Sequence, residues 1–198
     1  HDLRGKTAFE ESGSLLVTAG DTVPALRVLQ VAGTLDPQYG GPPVVVNQLT
    51  RSLVSLGHSV DVATLDAPGA EWLQGLPGPP LALGPGLGLY GFSRSAGQWL
   101  RKNVADYDAV IVHGIWQYQS LAVRRACRAA EVPYFLFVHG ALDPWFEQEY
   151  PSKHAKKALY WRLSEHRTLQ DARAVLFTCD EERMLARQSF SPYHATEA

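Results

Sequence analysis

A chain of 198 residues that is 45% hydrophobic and 19% charged carries enough apolar content for one well-cored domain. Its net charge of −2 excludes a global basic field for nucleic acid, and two cysteines, Cys127 and Cys179, exclude a disulfide framework or a Cys-rich metal site. No apolar run reaches the roughly 18 residues of a membrane span, and the acidic N-terminal stretch with Asp2, Glu10 and Glu11 does not read as a secretion signal.

Residues 1–24 are polar and aperiodic and read as a flexible lead-in. ALRVLQVAG, residues 25–33, is a first strand ending in Gly. The turn-rich TLDPQYGGPP follows, and from Pro42 the pattern becomes helical, with Val45, Leu49, Leu53 and Leu56 at helical spacing and Gly57 as its stop. HSVDVATL, residues 58–65, is the second strand. Residues 66–93 are rich in Gly and Pro and predict an irregular connection with one short strand at 81–83.

A helix over 95–104 leads to a strand over 109–112. The next helix, 119–130, places Leu121, Ala122, Arg125 and Ala129 on one face, and a strand follows over 134–138. A long helix over 152–170, a strand over 174–178 and a last helix over 180–188 complete the pattern, with Asp180 near the final N-cap. The strands are continuous apolar runs alternating with helices. That is the pattern of a doubly wound α/β domain, a mainly parallel sheet with helices on both faces. The domain is expected over 25–190. Residues 191–198 read as a truncated segment, and the start at His1 suggests a piece of a longer protein.

In such sheets ligands bind outside the carboxyl ends of the strands. Three features fall there. Gly40 and Gly41 precede a helix N-terminus, where glycines admit close backbone approach and the dipole favours an anion; a plain strand-to-helix turn needs the same residues. AVIVHG and YFLFVHG end two buried strands in His113 and His139, each followed by Gly. Near pH 7 an imidazole there can donate to a sugar hydroxyl or a phosphate oxygen, although a strand-end histidine can equally be structural. Asp143 can orient a hydroxyl or make an Asx turn, and the aromatic faces of Trp116 and Trp145 can stack on a sugar or plug a core.

The segment 152–170 carries Lys153, Lys156, Lys157, Arg162 and Arg167 against the one acid Glu165, with Tyr160 and Trp161 among them. That combination suits an anionic membrane surface or a solvated helix face. Asp180, Glu181 and Glu182 in a first helical turn complement the helix dipole. The loop after the first strand matches neither GxGxxG nor the Walker pattern, and no HExxH or GxSxG is present.

Taken together, LRVLQVAGTLDPQYGGPPVVVNQLTRSLVSLGHSVDVATL and FVHGALDPWFEQ, followed by KKALYWRLSEHRTLQDARAVLFTCDEE, resemble the N-terminal domain of the GT-B glycosyltransferases of family 4. The resemblance spans roughly residues 25–190. It implies a Rossmann-like acceptor-side domain whose donor-binding partner domain lies beyond this chain. It implies retaining glycosyl transfer from a nucleotide-sugar to a glycan or lipid-linked acceptor, with no cofactor and no required metal. It implies that Gly40 and Gly41 lie near the donor diphosphate and that His139 reaches the transferred sugar. A cytoplasmic place, peripheral at the inner face of a membrane, and a role in polysaccharide assembly are also family expectations. Ala141 stands where the family has Met, and Cys179 where it has Ser. Two other readings stay open: an NAD-dependent epimerase or dehydrogenase with Asp66 reading a ribose, which the lack of GxGxxG in the loop after the first strand opposes, and a non-catalytic glycan- or lipid-binding module.

Overall fold

The computed structural model describes residues 24–144 and 151–198, with the side chains of 151–155 outside that description. Six strands form one all-parallel sheet: β1 (Arg27–Ala32), β2 (Ser59–Thr64), β3 (Leu81–Ala82), β4 (Ala109–His113), β5 (Tyr134–Phe137) and β6 (Ala174–Leu176). Their spatial order is β3-β2-β1-β4-β5-β6. The chain winds outward from β1 to β3, returns, and winds the other way from β4 to β6. The carboxyl ends of β1 and β4 therefore make the switch point at which doubly wound sheets place their ligands. Ala32 and His113 are paired across it.

Among the described residues the α-helices are α1 (Gly41–Ser55), α2 (Arg94–Asn103), α3 (Tyr118–Ala130), α4 (Pro151–Tyr160), α5 (His166–Gln170) and α6 (Asp180–Ser189). The long helix expected over 152–170 is present but widens to a π-helical turn, Trp161–Glu165, between α4 and α5. The helix expected from 180 is capped by Cys179, one residue before Asp180.

All of β1 after Arg27 is buried, because both sheet faces are covered. Leu29 and Val31 join Val110, Val112, Val123 and Leu136 in the larger apolar core. Ala32 faces the other way, with Leu35, Val46 and Val62. Side chains alternate along a strand, so Gln30 shares that second face with Ala32 and lies under α1. It is 0% exposed.

Two helix faces differ from their expected registers. In α1 the buried residues are Pro43, Val46 and Thr50, while Val45 and Leu49 flank them and Leu56 is exposed. Thr50 turns inward because its hydroxyl pairs with Gln30, a demand that an apolar-only pattern does not contain. In α3 the packed face is Gln119, Ala122, Val123, Ala126 and Cys127, and Arg125 and Ala129 point to solvent. Gly57 stops α1 as expected. Its φ is +89°, its N–H bonds to Val54 O and that of His58 to Leu53 O, a Schellman closure.

In the 66–93 connection, Gly84 packs directly on the end of β2. A Cβ there would stand 1.9 Å from Leu65 O, so only Gly fits. The packed unit continues past residue 190. Val175 N donates to Thr196 O, Ala198 N donates to Val175 O, and Trp161 Nε1 donates to Pro192 O.

Candidate functional site

The two Val-His-Gly runs do not end alike. His113 is the last residue of β4, paired with Phe137 of β5. His139 lies two residues beyond the end of β5, where the backbone turns left-handed: φ is +51° at His139 and +73° at Gly140. A left-handed non-Gly residue costs roughly 1–2 kcal/mol and needs outside support. Gly140 N–H donates to Glu182 Oε1 at 2.5 Å, and Ala141 N–H donates to Val138 O. The Phe137 ring lies parallel to His139, with centroids 4.5 Å apart and 5° between planes.

This turn swings the His139 imidazole back over the sheet end. His139 Nε2 stands 3.0 Å from His113 Nδ1. The ring centroids are 5.3 Å apart with 18° between planes, so the rings meet edge to edge through their nitrogens. His113 Nε2 is 2.8 Å from Gln30 Oε1, and Gln30 Nε2 donates to Thr50 Oγ1 at 2.7 Å. Four side chains from β1, α1, β4 and the β5 loop thus form one continuous polar file through the switch point.

Burial holds both histidines neutral. His113, 3% exposed, has its pKa pushed down to about 3 by desolvation and then by the neighbouring His139. His139, half-buried, is pushed down to about 4 by desolvation, against an opposing pull from Glu182.

In front of His139 lies a cleft of about 590 Å³. Gly41, Pro42 and Val45 of α1 form one wall. His139, Gly140 and Asp143 form the floor, and Thr178, Cys179, Glu181 and Glu182 the other wall. Glu182 fixes this wall as well as the floor, since its Oε2 accepts from Thr178 N at 2.7 Å and Thr178 Oγ1 at 2.6 Å. Among the described residues, the charged groups lining the cleft are carboxylates, with no Lys or Arg. Carboxylates and a neutral imidazole suit a polyhydroxyl ligand. On the anion side, Pro42 and Pro43 remove two early N–H groups of α1, leaving the Gly41 N–H and the helix dipole. Among the described residues, no group of three or more His, Cys, Asp or Glu side chains is arranged to hold a metal ion.

The structure therefore brings His139, Gly41 and Asp143 together. Gly40 adjoins them as the N-cap of α1, with φ +79°, outside the cleft lining. His113 is a correction: both ring nitrogens have protein partners and the ring is buried, so it acts behind His139 rather than on a ligand. Trp116 is another. Its Nε1 donates to Ala141 O, and its ring packs among Tyr160, Trp161 and Phe190 with Lys157 Nζ 5.0 Å above it. Trp145 lies outside the described residues.

Asp66 does not present a free carboxylate to a ribose. It is buried and accepts from Thr34 Oγ1, Leu35 N and Thr64 Oγ1, anchoring the loop after β1. Sequence reasoning passed over Gln30 and Thr50 and gave Glu182 only the role of complementing a helix dipole. The visible signal was Gln30, a polar residue in the middle of an apolar strand run.

A doubly wound, all-parallel Rossmann-like sheet is the fold that the family-4 resemblance implied. The Glycosyl transferase 4-like domain profile matches residues 40–197. The chain belongs to this glycosyl transferase 4-like family. The match includes α1, His113, His139 and the Glu182 wall, while β1 lies before it. No curated protein sequence matches the chain.

Solved structures similar to this glycosyl transferase 4-like domain include a UDP-GlcNAc 2-epimerase from Methanocaldococcus jannaschii, at TM-score 0.57 and 14% identity, covering 82% of this chain and 42% of that one. A candidate UDP-N-acetylglucosamine 2-epimerase from Listeria monocytogenes is similar at TM-score 0.53 and 15% identity, covering 84% and 43%. At these identities the likeness is one of fold. The chain spans less than half the length of either structure.

Proposed function

We propose that this chain is the acceptor-side half of a retaining, metal-independent glycosyltransferase that moves a sugar from a nucleotide-sugar to a glycan or lipid-linked acceptor. The observation that carries this reading is the cleft itself, with a neutral histidine, three carboxylates and the N-terminus of α1 around one space at the carboxyl end of the sheet. The transferred sugar lies over His139 with its hydroxyls on Asp143 and Glu181. The diphosphate lies at the Gly41 edge, and its positive partners come from a second surface, because the described residues lining the cleft include no Lys or Arg. The bond from the anomeric carbon to the diphosphate breaks, a bond to the acceptor oxygen forms, and the acceptor proton passes to the departing phosphate. No side chain needs to become a nucleophile.

The test is turnover of a panel of nucleoside-diphosphate sugars by the full-length protein, read as release of the nucleoside diphosphate. Release that depends on an added glycan or polyprenyl-linked acceptor is the expected result. Glycan binding without any turnover would leave a binding module instead.

A second reading rests on the surface. Leu159 and Leu163 are exposed beside exposed Lys156 and Arg162, and Leu89, 100% exposed, tips a loop tied to the same helix by the Tyr90–Tyr160 hydroxyl bond of 2.7 Å. We infer that this face meets an anionic lipid surface, apolar side chains entering and cations on the headgroups. No helix among the described residues is long and apolar enough to cross a membrane.

A further inference from the structure

The polar file behind His139 has a direction, and the direction can be read from its far end. Thr50 Oγ1 donates to Val46 O at 2.7 Å, the i−4 carbonyl of its own helix. Its proton is thereby committed, and its lone pairs face Gln30. Gln30 Nε2 reaches both Thr50 Oγ1 at 2.7 Å and Val46 O at 3.4 Å. Reversing the amide would draw the Thr50 hydroxyl away from Val46 O and set two carbonyl oxygens 3.4 Å apart, so the orientation with nitrogen toward α1 is the one that keeps every contact. Gln30 Oε1 then faces His113 Nε2 at 2.8 Å, which must carry a hydrogen.

His113 has no carboxylate against either nitrogen and is buried, which excludes a second proton on the ring. Its Nδ1 is therefore a lone pair, and the 3.0 Å contact from His139 Nε2 must be an N–H donated to it. His139 is left with Nδ1 unprotonated, and no described residue bonds that atom.

We propose that Thr50, Gln30 and His113 are positioning residues that hold His139 in the Nε2–H tautomer, so that it offers the cleft a hydrogen-bond acceptor and selects a ligand hydroxyl that donates. The identity of that ligand as a sugar rests on the glycosyl-transfer reading; the tautomer does not. The histidine is thus set before any ligand arrives, and it would reject a phosphate oxygen, which is itself an acceptor. This also separates its role from that of the Gly41 edge, where the remaining donor lies.

The test is a long-range ¹H–¹⁵N imidazole spectrum of the histidine-labelled full chain without ligand, with His139 assigned by the loss of its peaks in His139→Asn. A protonated Nε2 and a bare Nδ1 at His139 are expected. Gln30→Met keeps the length and removes the acceptor, and the preference should fall by roughly tenfold, about one hydrogen bond's worth. Thr50→Ser should restore the wild-type pattern and Thr50→Val should mix the tautomers, which covers the case of a Gln30 variant that does not fold. A protonated Nδ1 in the wild type, or an unmoved tautomer in folded Gln30→Met and Thr50→Val, would overturn the proposal. Because no substrate is present, such a failure is distinct from a failure of the transfer assay.

Discussion

The Glu182 carboxylate accepts the Gly140 backbone N–H at 2.5 Å while its other oxygen accepts from Thr178. One side chain in the first turn of α6 therefore joins the loops after β5 and β6. It also sets the left-handed turn that aims His139. Glu182→Ala should cost about 1–3 kcal/mol of stability, since it leaves two backbone donors without their acceptor. Denaturant melts measure that cost. Its effect on turnover should exceed its effect on fold, with the variant folded at room temperature yet impaired. Glu182→Gln keeps only one strong acceptor and should fall between.

A second expectation concerns pH. Glu165 is 0% exposed in the π-helical turn, accepts from Ser120 Oγ, and leaves Oε2 with no partner among the described residues. Burial raises its pKa to about 7. A carboxyl raised in the folded state contributes stability that is present below its unfolded value near 4.5 and lost as pH rises through about 7. Glu165→Gln should therefore match the wild type near pH 4.5 and be more stable at pH 8, by on the order of 1–3 kcal/mol. Equal melting of the two proteins at pH 8 would count against a buried charge.

The histidines act in the opposite sense. Their folded pKa values, about 3 and about 4, lie below the unfolded 6.5, so their contribution is present above pH 6.5 and lost as pH falls through those values. Thermal melts across the range should show an acid limb from His113 and His139 and a decline toward pH 7–8 that Glu165→Gln removes.

The sheet was legible because its strands are apolar runs separated by helical periods, and the connection order fixes the switch point. His139, Gly41 and Asp143 were legible as residues that follow the carboxyl ends of strands, where such sheets place their ligands. The role of His113 was not. Its twin position suggested an equal role, but the two-residue overshoot of His139 and its left-handed turn appear only in the backbone. Thr50 was hidden because helical periodicity follows apolar residues, and its inward turn answers a polar residue twenty positions away. Glu182 was hidden because an acid in a first helical turn already has a sufficient reason to be there. Trp116 misled because an aromatic residue after a strand has the same sequence signature whether it stacks on a sugar or fills a core.

For the lipid-facing surface, flotation of the full chain with vesicles of phosphatidylcholine, with and without phosphatidylglycerol, is the relevant measurement. Binding should require the anionic lipid and fall when Lys156 and Arg162 are both changed to Glu. Lys157 is unsuitable for this test because it packs on Trp116. Flotation that ignores both the lipid charge and the two substitutions would reject the surface.

Turnover of the full-length protein carrying His139→Ala tests the central claim most directly. The imidazole is half-buried and lines the cleft, and its loss leaves the buried His113 Nδ1 without its donor, so the variant should stay folded with a melting temperature lowered by the equivalent of about 1–3 kcal/mol. The expected result is sugar transfer reduced by about 100-fold or more, the scale for a positioned group at a reacting centre. Wild-type turnover in a folded His139→Ala protein would contradict the account.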